Sequence, residues 1–254
     1  MSELFVLKIF RGVKDSQYWE EFLLEETPFL NITAALLQIQ KKPITRQGTR
    51  VAPVVWEQGC LEEVCGSCSL LINGRPRQGC TALVSRVLRE SGSRMITLAP
   101  MTKFPLVRDL VVSRDQMFTS LQKVHAWVDA DDSLGRGDLH QVDPEIQQVR
   151  YELSTCMTCG CCLEACPQVN ARTKFIGAAA ISQVRLFNAD TTGQLQAPTR
   201  LRALMEEGGI SDCGNAQNCV EVCPKHIPLT ESIALMARHV TKQALRDVFS
   251  TPDA

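Results

Sequence analysis

Two cysteine segments in the second half of the chain constrain its fold more than any other feature. The first runs Cys156-Met-Thr-Cys-Gly-Cys-Cys-Leu-Glu-Ala-Cys-Pro167, and the second runs Cys213-Gly-Asn-Ala-Gln-Asn-Cys-Val-Glu-Val-Cys-Pro224. The first has the spacing of bacterial-type ferredoxins, in which three thiolates hold one iron–sulfur cluster and the fourth ligates another cluster. Such a segment requires a second one, so we expect the two to fold together around two clusters.

The two segments differ at one position, where the second has Ala216 in place of the middle cysteine, Cys159. One cluster can therefore take four thiolates, from Cys156, Cys159, Cys162 and Cys223. The other can take only three, from Cys166, Cys213 and Cys219. Four thiolates suit a 4Fe–4S cluster, and three suit a 3Fe–4S cluster, which lacks one corner iron. Cys161 is left over and is predicted not to ligate iron.

A third group of cysteines precedes these segments and has the plant-type spacing Cys-x4-Cys-x2-Cys with a distant fourth cysteine. This spacing predicts a 2Fe–2S cluster, with the ligands Cys60, Cys65, Cys68 and Cys80. Gly59 and Gly66 are predicted to let the loop approach the cluster closely, because glycine has no Cβ. The dipeptide Asn73-Gly74 indicates a tight hairpin turn, which would bring Cys80 back beside the other three cysteines.

Zinc is the main alternative explanation for the twelve cysteines, because paired Cys-x2-Cys motifs bind it tetrahedrally. Zinc sites do not ordinarily use interlocked segments whose last cysteine crosses to a neighbouring site. Disulfides would require an oxidising compartment, and the start of the chain does not resemble a signal peptide. The net charge of −1 gives no reason to expect nucleic acid as a partner. No apolar run approaches the roughly 20 residues that span a bilayer.

The first hundred residues predict short strands around one helix. Strands are expected over residues 4–10 and 19–24, where apolar and β-prone residues are frequent. A helix is expected over residues 32–40, with Asn31 as its N-cap. Strands and a helix in this order match a β-grasp domain of the plant-type ferredoxin class.

The last hundred residues predict a helical domain, so the fold class is α+β. Helices are expected over residues 144–155, 177–187, 199–208 and 230–249. The predicted domains are a β-grasp 2Fe–2S domain over 1–105, a linker over 106–148, and an all-α, bacterial-ferredoxin-like domain with the 4Fe–4S and 3Fe–4S clusters over 149–254. Within the linker, residues 129–137 indicate a surface loop. His125 and Trp127 are expected in a core or an interface.

Three clusters of different type in one chain indicate a conductor of electrons rather than a substrate site. The sequence has no phosphate-binding loop and no evident nucleophile or acid–base pair. Cluster chemistry proceeds one electron at a time, and the chain has neither a two-electron donor nor a two-electron acceptor. We therefore expect it to be one subunit of a larger complex.

The order of these motifs resembles the iron–sulfur subunit of succinate dehydrogenase and fumarate reductase. The likeness extends to Asn73-Gly-Arg-Pro-Arg-Gln78, Phe175-Ile-Gly177 and Cys223-Pro-Lys225. It implies a β-grasp domain docked on a flavoprotein with covalent FAD and the dicarboxylate site. It also implies a helical domain docked on a cytochrome b membrane anchor that binds quinone and haem b. The 2Fe–2S cluster is then nearest the flavin and the 3Fe–4S cluster nearest the quinone, at the cytoplasmic face of the bacterial inner membrane.

One departure from that family concerns the quinone. The ubiquinone-reducing branch has a tryptophan after the fourth cysteine of the first segment and a histidine after the first cysteine of the second. This chain has Pro167-Gln-Val-Asn170 and Gly214 there, so it resembles the bacterial branch with a dihaem anchor and menaquinone. Two alternatives remain open at this point: the iron–sulfur subunit of another flavin oxidoreductase, and a zinc-stabilised interaction module. Ala216 counts against the first, because those subunits usually have two four-cysteine segments.

Overall fold

The computed structural model describes residues 3–129 and 142–249. Contacts divide the chain into two units: the first is Met1–Arg114 with Met157–Ala165, and the second is Asp115–Cys156 with Cys166–Ala254. These units are defined by packing contacts within the chain. The predicted boundaries at 105 and 149 instead separate the domains that carry the clusters, and those boundaries stay a prediction. Of the predicted surface loop over 129–137, all but Asp129 lies outside the described residues.

Alternating apolar residues at the start of the first unit form its longest hairpin. β1 (Leu4–Val13) and β2 (Ser16–Glu25) pair antiparallel over their whole length. Phe5, Leu7 and Ile9 of β1 are fully buried, as the period of two in a strand requires. The strands predicted over 4–10 and 19–24 are confirmed, and each is longer than expected by a few residues.

The hairpin belongs to a five-stranded sheet of order β2-β1-β5-β3-β4. Its other strands are β3 (Ser69–Ile72), β4 (Arg75–Gln78) and β5 (Met95–Ala99). β5 runs parallel to β1 and antiparallel to β3. α1 (Ile32–Lys41) contributes Leu36 and Ile39 to the core of this sheet. As predicted, the Asn31 side chain caps α1, accepting a hydrogen bond from the Ala34 N–H at 2.8 Å.

The turn between β3 and β4 is the one predicted at Asn73-Gly74. Ile72 pairs with Arg75, which leaves a two-residue loop, and Asn73 and Gly74 have φ of +50° and +77°. Positive φ at both central positions is typical of the type I′ turn that matches the twist of a hairpin. Three further elements complete the first unit: α2 (Val84–Ser91), the hairpin of β6 (Leu106–Arg108) with β7 (Val111–Val112), and α5 (Cys161–Ala165).

The second unit is helical. Its helices are α3 (Asp115–Lys123), α4 (Pro144–Ser154), α6 (Gly177–Ala189), α7 (Ala197–Ala203), α8 (Asn218–Glu221) and α9 (Leu229–Phe249). α6 contacts α3, α4, α7 and α9, and its small residues from Gly177 to Ala180 are buried at these contacts. Within the described ranges, no helix is both long and apolar enough to cross a membrane.

Three of the four predicted helices, α4, α6 and α9, are confirmed to within two residues, but the boundaries predicted for α7 are wrong. α7 begins two residues before Thr199, the predicted cap, because Pro198 occupies the first turn, where its missing N–H is tolerated. It ends five residues early. The chain tightens there into turns in which Met205 N–H bonds to Arg202 O and Glu206 N–H to Ala203 O.

Candidate functional site

The loop that begins at Cys60 turns its backbone amides toward the Cys60 sulfur. Cys60 Sγ accepts hydrogen bonds from the N–H groups of Glu62, Val64 and Cys65 at 3.3, 3.2 and 3.3 Å. Leu61 and Glu63 have positive φ, +61° and +55°, which lets alternate amides point inward. Such concavities of N–H groups favour anions and occur at iron–sulfur sites. The loop therefore fits a thiolate ligand at Cys60.

Cys65, the most exposed cysteine of this group, is also set up as a thiolate. Hydrogen bonds from the Ser67 hydroxyl and from the Cys60 N–H, 3.3 Å away, lower the pKa of Cys65 to about 6. Gly59 lies close by: a Cβ there would be 2.9 Å from Cys65 Sγ. The close approach predicted for Gly59 is therefore present, and it is an approach to a cysteine sulfur.

Cys68 and Cys80 are buried together, each 5% exposed. Burial is the main reason that the pKa of Cys68 is raised to about 12, and its hydrogen bond with the Cys80 thiol raises it further. Thiols must lose their protons when they ligate a metal. Burial thus favours the neutral thiol of Cys68 until a metal binds, whereas the N–H groups around Cys60 and the hydrogen bonds to Cys65 favour negative charge.

Part of the first cysteine segment belongs to the first unit. There the thiol of Cys161 hydrogen-bonds to Cys159 and lowers the pKa of Cys159 to about 7, with a smaller contribution from the Arg114 guanidinium. The same hydrogen bond, followed by burial, raises the pKa of Cys161 well above its usual value. Cys161 therefore keeps a proton beside a sulfur that gives one up, which suits a non-ligand next to a ligand.

Arg114, which follows β7, hydrogen-bonds to the loop of residues 60–68 that carries three of the predicted 2Fe–2S ligands. Its Nη2 donates to the Ser67 carbonyl at 3.0 Å and lies 3.6 Å from a carboxylate oxygen of Glu57. Ser67 stands between two predicted ligands, Cys65 and Cys68. A positive charge is thus held against the backbone of the cluster loop, and nearby charge is one of the terms that set the potential of an iron–sulfur cluster.

Glu164, which the sequence did not single out, anchors α5 within the first unit. Its carboxylate is 8% exposed and accepts from Thr102 N–H at 3.0 Å, Thr102 Oγ1 at 2.7 Å and Lys103 N–H at 3.0 Å. Charge-assisted hydrogen bonds of this kind are stronger than neutral ones. A buried glutamate two residues after Cys162 therefore holds the cysteine-bearing helix against the loop that follows β5.

In the second unit, one cavity brings three predicted ligands together. The cavity is lined by Cys166, Cys213 and Cys219, and Ala216 faces it beside them. Burial raises the pKa of Cys219, and the charges of Cys166 and Cys213 raise it further. Three thiols and a methyl group on one cavity fit a cluster that has three protein ligands.

The remaining predicted ligands are Cys156, Cys159, Cys162 and Cys223. Cys159 and Cys162 lie in the first unit, and Cys156 and Cys223 lie in the second. The assignment of these four thiols to one cluster stays a prediction.

Two family models match the chain: a 2Fe-2S iron-sulfur cluster binding domain over residues 6–119, and a 4Fe-4S dicluster domain over residues 152–227. The succinate dehydrogenase iron-sulfur subunit of Bacillus subtilis (strain 168) is 51% identical over 234 residues, which are 92% of this chain and 90% of that protein. The chain belongs to the iron–sulfur subunits of succinate dehydrogenases and fumarate reductases.

This iron–sulfur subunit is also similar to the fumarate reductase iron-sulfur subunit of Wolinella succinogenes, with 28% identity over 94% of this chain and 98% of that one. A solved structure, "Mycobacterium smegmatis Sdh1 complex in the apo form", includes a chain with the same fold. It matches with a TM-score of 0.77 and 20% identity, over 96% of this chain and 98% of that chain. The subunit is an electron-transfer component of an oxidoreductase complex, as predicted, with 2Fe–2S and 4Fe–4S binding domains. Family membership favours this function over both alternatives, the zinc-stabilised module and the subunit of another flavin oxidoreductase.

The subunit also has a buried arginine that sequence reasoning missed. Arg200 of α7 is fully buried and donates to the carbonyl oxygens of His125 at 2.8 Å and Gly193 at 2.6 Å, and to that of Trp127. The side chains of His125 and Trp127 are exposed in this chain, which excludes a core position for both, and their expected place in an interface stays a prediction. The backbone carbonyl oxygens of these two residues accept hydrogen bonds from Arg200, because a buried guanidinium needs several acceptors.

Proposed function

We propose that the subunit carries electrons through three clusters, between a flavoprotein that acts on succinate or fumarate and membrane menaquinone. Three cysteine sets hold the clusters: Cys60, Cys65, Cys68 and Cys80 for 2Fe–2S; Cys156, Cys159, Cys162 and Cys223 for 4Fe–4S; Cys166, Cys213 and Cys219 for 3Fe–4S. The bound clusters supply one-electron redox chemistry. Residues 1–105 and 149–254 are the cluster-binding domains, and residues 106–148 join them.

The observation that carries this proposal is the cavity with three thiols and Ala216. A methyl group cannot ligate iron, so a cluster held here would take its cysteine ligands from Cys166, Cys213 and Cys219, with none from position 216. The three sulfurs therefore suit a 3Fe–4S cluster rather than a second 4Fe–4S cluster. The cysteine motifs resemble those of a family whose iron–sulfur subunit carries three clusters of different type. In that family the 3Fe–4S cluster is the one nearest quinone.

The proposed partners follow from the chemistry that the chain lacks. Succinate oxidation and fumarate reduction transfer two electrons, and a flavin converts them to single electrons. We assign that step to a flavoprotein subunit with covalent FAD, and quinone chemistry to a cytochrome b anchor with haem b. The subunit is then peripheral, at the cytoplasmic face of the bacterial inner membrane. Nucleic acid is not among the proposed partners.

We favour menaquinone over ubiquinone as the acceptor because of the residues around the three-thiol cavity. Gly214, at the position of the histidine in the ubiquinone branch, lies against the side chain of Gln168: a Cβ there would be 2.4 Å from Nε2 of Gln168, so a larger residue would require that side chain to move. Gln168 follows Pro167 and lines the same cavity. An amide thus takes the space that an imidazole would need, which supports a pocket of another kind.

The test is to purify the complex from membranes, then count its iron and assay its quinones. We expect about nine iron atoms from this subunit, the sum of two, four and three, after haem iron is subtracted. Electron paramagnetic resonance of the oxidised complex should show a three-iron signal. Succinate should reduce a menaquinone analogue faster than a ubiquinone analogue. Stoichiometric zinc in place of iron would contradict the whole proposal, whereas a preference for ubiquinone would contradict only the choice of quinone.

A further inference from the structure

Arg114 is a largely buried cation whose charge is only partly balanced by its neighbours. Its side chain is 17% exposed. Nη2 donates to the Ser67 carbonyl at 3.0 Å and lies 3.6 Å from a carboxylate oxygen of Glu57. Nε is buried and has no hydrogen-bond partner among the residues that the structure describes. Burying a charge is costly unless partners surround it, so this guanidinium favours further negative charge nearby.

The backbone to which Arg114 donates lies where two cysteine-bearing loops meet. Ser67 stands between two predicted ligands of the 2Fe–2S cluster. It follows Gly66, on which a Cβ would be 2.9 Å from the Cys159 Cα, and Cys159 is a predicted ligand of the 4Fe–4S cluster. All of these residues belong to the first unit. One guanidinium is thus fixed to a loop that carries ligands of one cluster and contacts a ligand of another.

Bound clusters would supply negative charge beside Arg114. A cluster held by four thiolates is an anion, and reduction makes it more negative. A fixed positive charge nearby therefore stabilises the reduced state and raises the potential of the cluster. Arginine is not deprotonated in proteins, so its contribution does not change with pH. Salt screens a buried charge much less than an exposed one, which distinguishes Arg114 from arginines on the surface.

We propose that Arg114 is a positive charge shared by two clusters, and that it raises the potentials of the 2Fe–2S and 4Fe–4S clusters together. The inference rests on the proposed function, because it takes Cys65 and Cys68 as ligands of the first cluster and Cys159 as a ligand of the second. Since both potentials move in the same direction, the difference between them changes by less than the larger shift. A residue that served one cluster alone would change that difference by its full effect.

The first test measures both midpoint potentials in the purified complex, by redox titration followed with electron paramagnetic resonance. Arg114→Gln should lower each potential by up to the equivalent of a tenfold change in the one-electron equilibrium constant, about 59 mV. Arg114→Lys keeps the charge and should stay closer to the wild type. Arg89→Gln is the matched control, because it removes the same charge from an exposed position on α2, and it should leave both potentials unchanged.

Two results of this test would count against the inference. Unchanged potentials in a fully loaded Arg114→Gln complex would overturn it and leave the proposed function standing. A shift confined to one cluster would overturn the sharing of the charge. Absence of the cluster signals from the wild-type complex would instead count against the proposed function.

The second test reverses the sign of the effect and leaves Arg114 in place. Glu57 partly offsets the Arg114 charge, so Glu57→Gln should raise the 2Fe–2S potential. The Glu57 side chain is 42% exposed, so the rise should be smaller than the fall in Arg114→Gln and should shrink at high salt. A merely structural role would not produce shifts of opposite sign. If Arg114→Gln does not retain its clusters, an unchanged or lower potential in a loaded Glu57→Gln complex overturns the inference.

Discussion

Gly66 lies directly against Cys159: a Cβ on Gly66 would be 2.9 Å from the Cys159 Cα and 2.9 Å from the Met157 carbonyl oxygen. Gly66 also has φ +74°, a conformation that glycine adopts without cost. Two cysteine-bearing loops that are more than 90 residues apart in sequence thus meet backbone to backbone. The sequence predicted close approach at Gly66, but to the cluster rather than to the other loop.

Gly66→Ala should destabilise the first unit and release iron from the complex. The control is Gly74→Ala, because Gly74 has nearly the same φ, +77°, but nothing within 4 Å of a Cβ. The left-handed conformation alone costs alanine about 1–2 kcal/mol, so Gly74→Ala should lose no more than that. Gly66→Ala should lose clearly more, measured as thermal inactivation and as iron content. Equal losses would mean that the contact with Cys159 is unimportant.

Ala216→Cys should allow the third cluster to retain a fourth iron. A thiolate at position 216 would supply the missing ligand beside Cys166, Cys213 and Cys219. The three-iron signal of the oxidised complex should vanish, and the potential should fall with the change of cluster type and charge. Quinone reduction should slow, while succinate oxidation with an artificial acceptor at the flavin should persist. An unchanged three-iron signal in a loaded complex would show that position 216 does not face the open corner.

Cys161→Ser should leave all three cluster signals present, whereas Cys159→Ser should damage the 4Fe–4S signal. The two thiols are hydrogen-bonded neighbours, but only Cys159 falls in the ligand spacing. Serine at 161 still offers a hydroxyl donor to its surroundings. The measurement is electron paramagnetic resonance of the reduced complex, with iron content as a check. Loss of the 4Fe–4S signal in Cys161→Ser would mean that the ligand assignment is wrong.

Glu164→Gln should weaken the attachment of α5 to Thr102 and Lys103. The carboxylate accepts three hydrogen bonds there, and an amide of the same shape sets N–H groups against N–H groups. We expect a loss of about 2 kcal/mol, seen as a lower midpoint of thermal inactivation and faster loss of the 4Fe–4S signal to a chelator. Glu25→Gln, at an exposed position on β2, should change neither quantity. If the two variants behave alike, α5 does not depend on Glu164.

The sequence by itself determined the features that depend on local order along the chain. Ligand spacing around a small cluster is short-range, so the order of residues alone was enough to recognise the three cysteine groups and the alanine at position 216. The Asn31 cap and the Asn73-Gly74 turn were predicted for the same reason, because each depends on hydrogen bonds and φ values within a few residues. The end of α7 was not, since it depends on competing turns after Ala203.

Only the tertiary structure decided which polar groups are buried and with whom. Glu164 meets Thr102 across 62 residues of sequence, and Gln78 meets Cys161 across 83. Arg200 is buried among carbonyl oxygens that no local pattern distinguishes from others. Burying a charged or polar group is costly unless partners surround it, and folding supplies those partners from distant parts of the chain. Local spacing therefore predicted the ligands of the clusters, while long-range packing set the hydrogen bonds and charges around those cysteines.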